Sequence, residues 1–218
     1  MYKAICFDFD GVMAETMPYH LPAWDIVLQE EYGFPLNPNS ILLNEGRPVL
    51  EIARTVFKDA DKPYDESILR NVIQKKNERF RATHHAAVYP ENIEIIRWAK
   101  SQGIKIALVT GTKRDNLSVV LPQSLIDDLD AIITDGDTPR GKPSPDPYLA
   151  AAKQLNLTPD ECLVVENAPI GITAAKAAGM FCIALKTTLS EEHLQQADVI
   201  LSNHSELVQR LKLLLPSK

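Results

Sequence analysis

Residues 2–16 read YKAICFDFDGVMAET. The run from Tyr2 to Phe7 is apolar enough for a buried strand, yet it ends in two carboxylates, Asp8 and Asp10, separated only by Phe9. A carboxylate at the end of a buried strand costs free energy unless something pairs with it, and two such neighbours also repel each other. Positive charge must therefore arrive from elsewhere in the chain or from a bound cation. Gly11 follows at once and allows the tight turn by which the chain leaves the strand.

From the strand outward the text changes twice. Residues 18–82 carry apolar side chains at three-to-four spacing with charges between them, as in YHLPAWDIVLQEEYG and DESILRNVIQKKNERF, the pattern of amphipathic helices. After residue 88, helical and apolar runs alternate. ENIEIIRWAKSQG is a helix stopped at Gly103, followed by the strand GIKIALVTG; SLIDDL is helical and DAIITDG a strand. SPDPYLAAAKQLN is a helix with Ser144 as its cap and Pro147 in its first turn. CLVVEN, MFCIALK and ADVIL read as strands, while APIGITAAKAAG and SELVQRLKLLL read as helices. Uniformly apolar strands alternating with helices predict an α/β fold: a doubly wound, Rossmann-like parallel sheet covered on both faces. The expected division is a core of residues 1–14 and 86–218 interrupted by an all-helical cap, 15–85. The chain would cross between the two near Met13–Thr16 and Arg81–Val88. An insertion after the first strand would sit over the ligand-binding edge of such a sheet.

Composition narrows the function. The 218 residues suffice for one α/β domain with a small insertion. Against 29 acidic residues stand 23 Lys and Arg, giving a net charge of −6 without any basic stripe, which argues against nucleic acid as a partner. An anionic ligand would need local positive groups, since the overall field does not attract it. Cys6, Cys162 and Cys182 lie in apolar runs and read as reduced core thiols of a cytoplasmic protein. No apolar run is long enough to span a membrane.

The strand ends carry the chemistry. Strand one ends in Asp8-Phe9-Asp10, the strand IKIALVT in Thr110-Gly111-Thr112, and CLVVE in Glu166-Asn167; Gly141-Lys142-Pro143 follows DAIITDG. In a parallel sheet these ends share one edge, so two carboxylates, a hydroxyl, an ammonium and an acid–amide pair should converge. Lys142 and a divalent cation would then offset Asp8 and Asp10. A carboxylate so placed can attack a phosphate ester if a metal neutralises the attacked group. A second carboxylate two residues on can serve the leaving oxygen and then water as acid and base.

The order FDFDGV, VTGT, GKPSPDPY and VVENAPIG resembles the four motifs of the haloacid dehalogenase superfamily of phosphotransferases. The helices after the first motif resemble the helical cap of its β-phosphoglucomutase-like subfamily. The resemblance implies Asp8 as nucleophile and Asp10 as general acid–base. It implies magnesium held by the Asp8 side chain, the Asp10 carbonyl, Glu166 and Asn167. Phosphate would meet Thr110, Lys142 and the backbone N–H groups of Gly111 and Thr112 at a helix start. His20, Arg47 and Lys76 resemble cap positions that face the substrate; of the pair Lys75 and Lys76 only one should turn inward. Trp24 reads as cap core, and His193 and His204 as surface residues near helix starts. Asn167 departs from the family, which mostly has aspartate there, and the lost charge predicts weaker magnesium binding, with Glu166 contributing directly or through water. The implied activity is a magnesium-dependent phosphatase acting on a small phosphate monoester, a sugar phosphate or related metabolite, through an aspartyl phosphate. A mutase of the β-phosphoglucomutase type is the alternative. A receiver-like or catalytically idle phosphate-binding module belongs to a different class; adjacent acids and no cap would mark a receiver. A monomer is expected, because the cap must open and shut.

Overall fold

The computed structural model describes residues 1–215. Strand β1 (Ala4–Phe7) is followed by four helices, α1 (Met17–Tyr32), α2 (Asn39–Leu42), α3 (Val49–Asp59) and α4 (Glu66–Thr83). Next come α5 (Pro90–Gln102), β2 (Lys105–Val109), the short α6 (Arg114–Leu117) and α7 (Gln123–Ile126), and β3 (Ala131–Ile133). The chain continues with α8 (Asp146–Gln154), β4 (Cys162–Glu166), α9 (Pro169–Ala177), β5 (Phe181–Leu185), β6 (Val199–Leu201) and α10 (His204–Leu214). The six strands form one parallel sheet in the order β3-β2-β1-β4-β5-β6. The order turns back at β1, whose two neighbours are β2 and β4, and this places the end of β1 at the switch point where ligands bind in doubly wound sheets.

Alternation along the strands builds two apolar layers. Ile5 and Phe7 point to one face with Ile106, Leu108 and the apolar sides of α5 and α10. Ala4 and Cys6 point to the other, with Ala107, Val109, α8 and α9. Both faces are covered, so the strands are apolar throughout except at their ends, Lys105 of β2 and Glu166 of β4, as parallel strands are. All three cysteines are free and buried in the second layer. Strand β1 stops at Phe7, shorter than the sequence suggests, although the Asp8 N–H still bonds to Val165 O at 3.0 Å.

The helices α1–α4 enclose an apolar cluster of their own that includes Trp24, Leu28, Val56, Phe57 and Leu69. Each fully buried side chain of this size contributes about 1.5–3 kcal/mol. Two chain segments join the insertion to the sheet and run side by side: Glu15 N bonds to Ala87 O at 3.0 Å and Tyr89 N to Met13 O at 3.2 Å. Arg81–Thr83 still belong to α4, so the second crossing is confined to 84–89. Two buried side chains brace the first crossing. The Asn92 amide donates to Val12 O (2.7 Å) and Met13 O (3.1 Å), and His204 Nε2 lies 2.8 Å from Val12 O with its ring stacked on Tyr89. His204 is thus a buried brace and not the surface residue its helix-start position suggests. Helix α8 begins at Asp146, and Ser144 Oγ accepts the Asp146 N–H at 3.3 Å without being the capping position itself.

Candidate active site

Lys142 organises the sheet edge. Its side chain is 1% exposed, and Nζ donates to Asp8 Oδ1 and Glu166 Oε1, both at 2.6 Å, and to Val109 O at 2.9 Å. Glu166 is held on both oxygens: Oε1 also accepts from Tyr148 OH at 2.8 Å, and Oε2 from the N–H groups of Asn167 (3.0 Å) and Ala168 (3.4 Å). The carboxylate pair and single ammonium leave one negative charge uncompensated. Burial pushes the Asp8 carboxyl up to about 8; Lys142 pulls against that shift and Glu166 adds to it. Lysine alone therefore does not hold Asp8 ionised at neutral pH, and a bound cation would complete the task.

Asp10 sits in the opposite electrostatic setting. Thr16 Oγ1 donates to Oδ1 at 2.6 Å, Thr112 Oγ1 to Oδ2 at 2.9 Å, and His20 Nε2 lies 3.3 Å from Oδ1. Burial alone would push its pKa up, but these partners outweigh burial and hold it at about 2. Burial, with Lys76 nearby, lowers His20 to about 4. His20 is the largest of these lowering influences on Asp10, ahead of Thr16 and Thr112. His20 stacks on Phe80 with centroids 4.0 Å apart. Two carboxyls two residues apart thus differ in proton affinity by environment alone.

The loop expected to meet phosphate, Thr110–Thr112, differs in part from expectation. Thr110 is buried, with its N–H on Ile133 O, and Thr110 Oγ1 accepts the Thr112 N–H at 3.0 Å. Helix α6 starts only at Arg114 and has four residues, so Gly111 and Thr112 form no helix end. The Thr112 N–H is engaged locally and its hydroxyl serves Asp10. Gly111 permits a close approach: a Cβ there would lie 2.6 Å from the carbonyl oxygens of Gly46 and Arg47. Gly11, at φ 76°, packs against Asn167 in the same way, its Cβ position being 2.4 Å from Asn167 Nδ2.

The helical insertion completes a cleft lined by Asp10, His20, Arg47, Lys76, Arg81 and Lys113 among others. Four cations in the lining face the carboxylates Asp10 and Glu45, which supplies the local attraction for an anion that the net charge withholds. Lys76 is buried, its ammonium 5.7 Å from both the Trp24 and Phe80 rings, and burial lowers it to about 8. Lys75 turns outward to Glu31. Arg47 pairs with Glu51 at 3.1 Å, while its buried Nε has no partner. Trp24 is both insertion core and cleft wall.

Among the described residues no group of three or more His, Cys, Asp and Glu forms a ready metal cluster, so a cation here would depend on amide and backbone oxygens as well. The oxygens present suit a hard cation. Asn167 Nδ2 faces Asp10 O (3.1 Å), Glu45 Oε1 (3.0 Å) and Thr188 Oγ1 (3.0 Å), while the buried Asn167 Oδ1 has no partner. Glu45, 4% exposed, likewise has an unpartnered Oε2. Burial first, then Asp8, Asp10 and Glu166, raise its carboxyl well above the usual range. Sequence reasoning did not single out Glu45. An acid flanking Gly46-Arg47, in a chain that lacks the usual acid at position 167, was the available signal.

Comparison with known proteins agrees with this geometry. The family model for haloacid dehalogenase-like hydrolases matches residues 2–179. Validoxylamine A 7'-phosphate phosphatase of Streptomyces hygroscopicus subsp. limoneus is 32% identical over 209 residues, covering 95% of this chain and 96% of that protein. Beta-phosphoglucomutase of Bacillus subtilis is 28% identical over 215 residues, 96% of this chain and 93% of its own. Among solved structures, a putative beta-phosphoglucomutase from Bacteroides vulgatus superposes with a TM-score of 0.83 at 29% identity, covering 97% of this chain and 88% of the other.

Proposed function

The chain belongs to the haloacid dehalogenase-like hydrolases, and from that premise we propose that it is a magnesium-dependent phosphatase of a small phosphate monoester, a sugar phosphate or related metabolite. In this reading residues 15–85 form the substrate-selecting cap over a core of 1–14 and 86–218. Asp8, the Asp10 carbonyl and Asn167, with Glu166 directly or through water, would hold magnesium, which would neutralise charge on the attacked phosphoryl group. An Asp8 oxygen attacks phosphorus, the ester P–O bond breaks, and Asp10, once protonated, gives its proton to the leaving oxygen. Water then attacks the aspartyl phosphate, Asp10 takes the proton from that water, and inorganic phosphate leaves with Asp8 regenerated. Thr110 donates to a phosphoryl oxygen, and Lys142 neutralises charge on Asp8 and the phosphate. Arg47, Lys76 and His20 receive the rest of the substrate. Closure excludes bulk water until a ligand fills the cleft.

The observation that carries hydrolysis is Asp10 fixed beside the cleft by His20, Thr16 and Thr112, placed to exchange a proton with the leaving oxygen and then with water. The similarity to validoxylamine A 7'-phosphate phosphatase along nearly the whole chain supports the same choice. The second reading, a phosphosugar mutase, is favoured by the likeness to the Bacillus subtilis enzyme. Measuring phosphate release from a panel of sugar phosphates beside β-glucose 1-phosphate isomerisation separates the two. Release is expected to dominate; isomerisation far outrunning it would reverse the assignment.

A further inference from the structure

Glu45 reaches out of the helical insertion to the sheet edge. It lies on the loop between α2 and α3, yet its Oε1 accepts from Asn167 Nδ2 at 3.0 Å. The loop is seated tightly there: a Cβ on Gly46 would be 3.1 Å from Lys142 Cδ, and Gly111 lies directly beneath the Gly46 and Arg47 carbonyls. Two oxygens on these hydrogen-bonded side chains, Glu45 Oε2 and Asn167 Oδ1, are buried and unpartnered. Buried oxygens without a donor are costly and uncommon. Each of the two joined side chains thus keeps one oxygen free to take an electrophile.

Charge counting identifies it. Asp8, Asp10, Glu45 and Glu166 bring four negative charges when ionised and Lys142 one positive, so the buried group sums to −3 and a divalent cation offsets most of that surplus. An aspartate at 167 would overload the same group. Resting on the magnesium-dependent reading above, we infer that Glu45 is a metal-binding residue, acting directly or through water. It delivers from the cap the carboxylate that position 167 lacks. Metal binding and cap closure are then linked in both directions: the cation favours the closed loop, and the closed loop favours the cation. The weaker magnesium binding expected from Asn167 alone is offset by a residue on the other side of the cleft.

Calorimetric titration of magnesium into the full chain tests this without reference to turnover, with the radius of gyration from X-ray scattering as a second readout. Glu45→Gln keeps an acceptor for Asn167 and removes only the charge; it is expected to weaken magnesium binding at least about tenfold and to abolish the magnesium-induced contraction of the wild type. Adding Asn167→Asp to Glu45→Gln should restore the affinity. Asn167→Asp alone, which sets two carboxylates against each other, should be more open than wild type in EDTA and should close on magnesium. It provides the test should Glu45→Gln fold poorly. Glu45→Gln binding magnesium within about twofold of wild type, or Asn167→Asp as compact as wild type in EDTA, would overturn the inference while leaving the phosphatase reading intact. A wild-type chain that binds no magnesium would overturn both.

Discussion

Replacing Asp8 by asparagine is expected to abolish turnover and yet stabilise the magnesium-free protein. Asp8 and Glu166 both sit 2.6 Å from Lys142 Nζ, so the buried trio carries a surplus negative charge. Burial raises the Asp8 carboxyl from 3.8 to about 8. A carboxyl raised in the folded state contributes its full stability below its unfolded pKa and loses it as pH climbs toward the folded value. By about pH 7.5 the loss approaches roughly 5 kcal/mol. The amide has no proton to lose and its oxygen can still accept from Lys142, so it escapes this cost. The net gain is on the order of a few kcal/mol, worth roughly 2–4 °C in Tm per kcal/mol for a chain of this length. Near pH 5 the gain should shrink to about 1.5 kcal/mol. Urea unfolding in EDTA at both pH values reads the difference directly. With magnesium the order should reverse, because the amide brings no charge to the cation. A variant less stable than wild type at the higher pH in EDTA, or a gap independent of pH, would refute the electrostatic reasoning.

Other consequences follow from the cleft. Burial lowers Lys76 to about 8, so its charge is present below that pH and lost above it; kcat/KM should fall above about pH 8 through a rising KM, and Lys76→Met should remove that limb from the pH–rate profile. In Gly111→Ala the new methyl would meet the Gly46 and Arg47 carbonyls at 2.6 Å. Steady-state kinetics should show kcat/KM down by about 10–100-fold, with Tm nearly unchanged because the clash opens the cleft and leaves both apolar layers alone.

What could be read from the sequence followed from burial. Strands covered on both faces are apolar throughout, so the four polar strand ends stood out, and Asp8, Lys142 and Glu166 do meet within hydrogen-bond distance. Periodicity alone left Lys75 and Lys76 as an either-or choice, and the resemblance picked Lys76; the packing of α4 against α1 is what buries it. Glu45 carried only an indirect signal, since its placement depends on where a loop of one layer lands on another. The same holds for His204 and Asn92, whose partner in both cases is the Val12 carbonyl far away in the chain. Thr112 showed a third kind of gap: its hydroxyl serves Asp10 because α6 begins two residues later than the turn suggests.

The decisive measurement is capture of the phosphoryl group itself. Acid quenching within the first turnover on p-nitrophenyl phosphate with magnesium, followed by peptide mass spectrometry, should find one phosphoryl group on the peptide carrying Asp8 and none in Asp8→Asn. A phosphoryl group on a different side chain, or turnover that survives in Asp8→Asn, would contradict a nucleophilic Asp8.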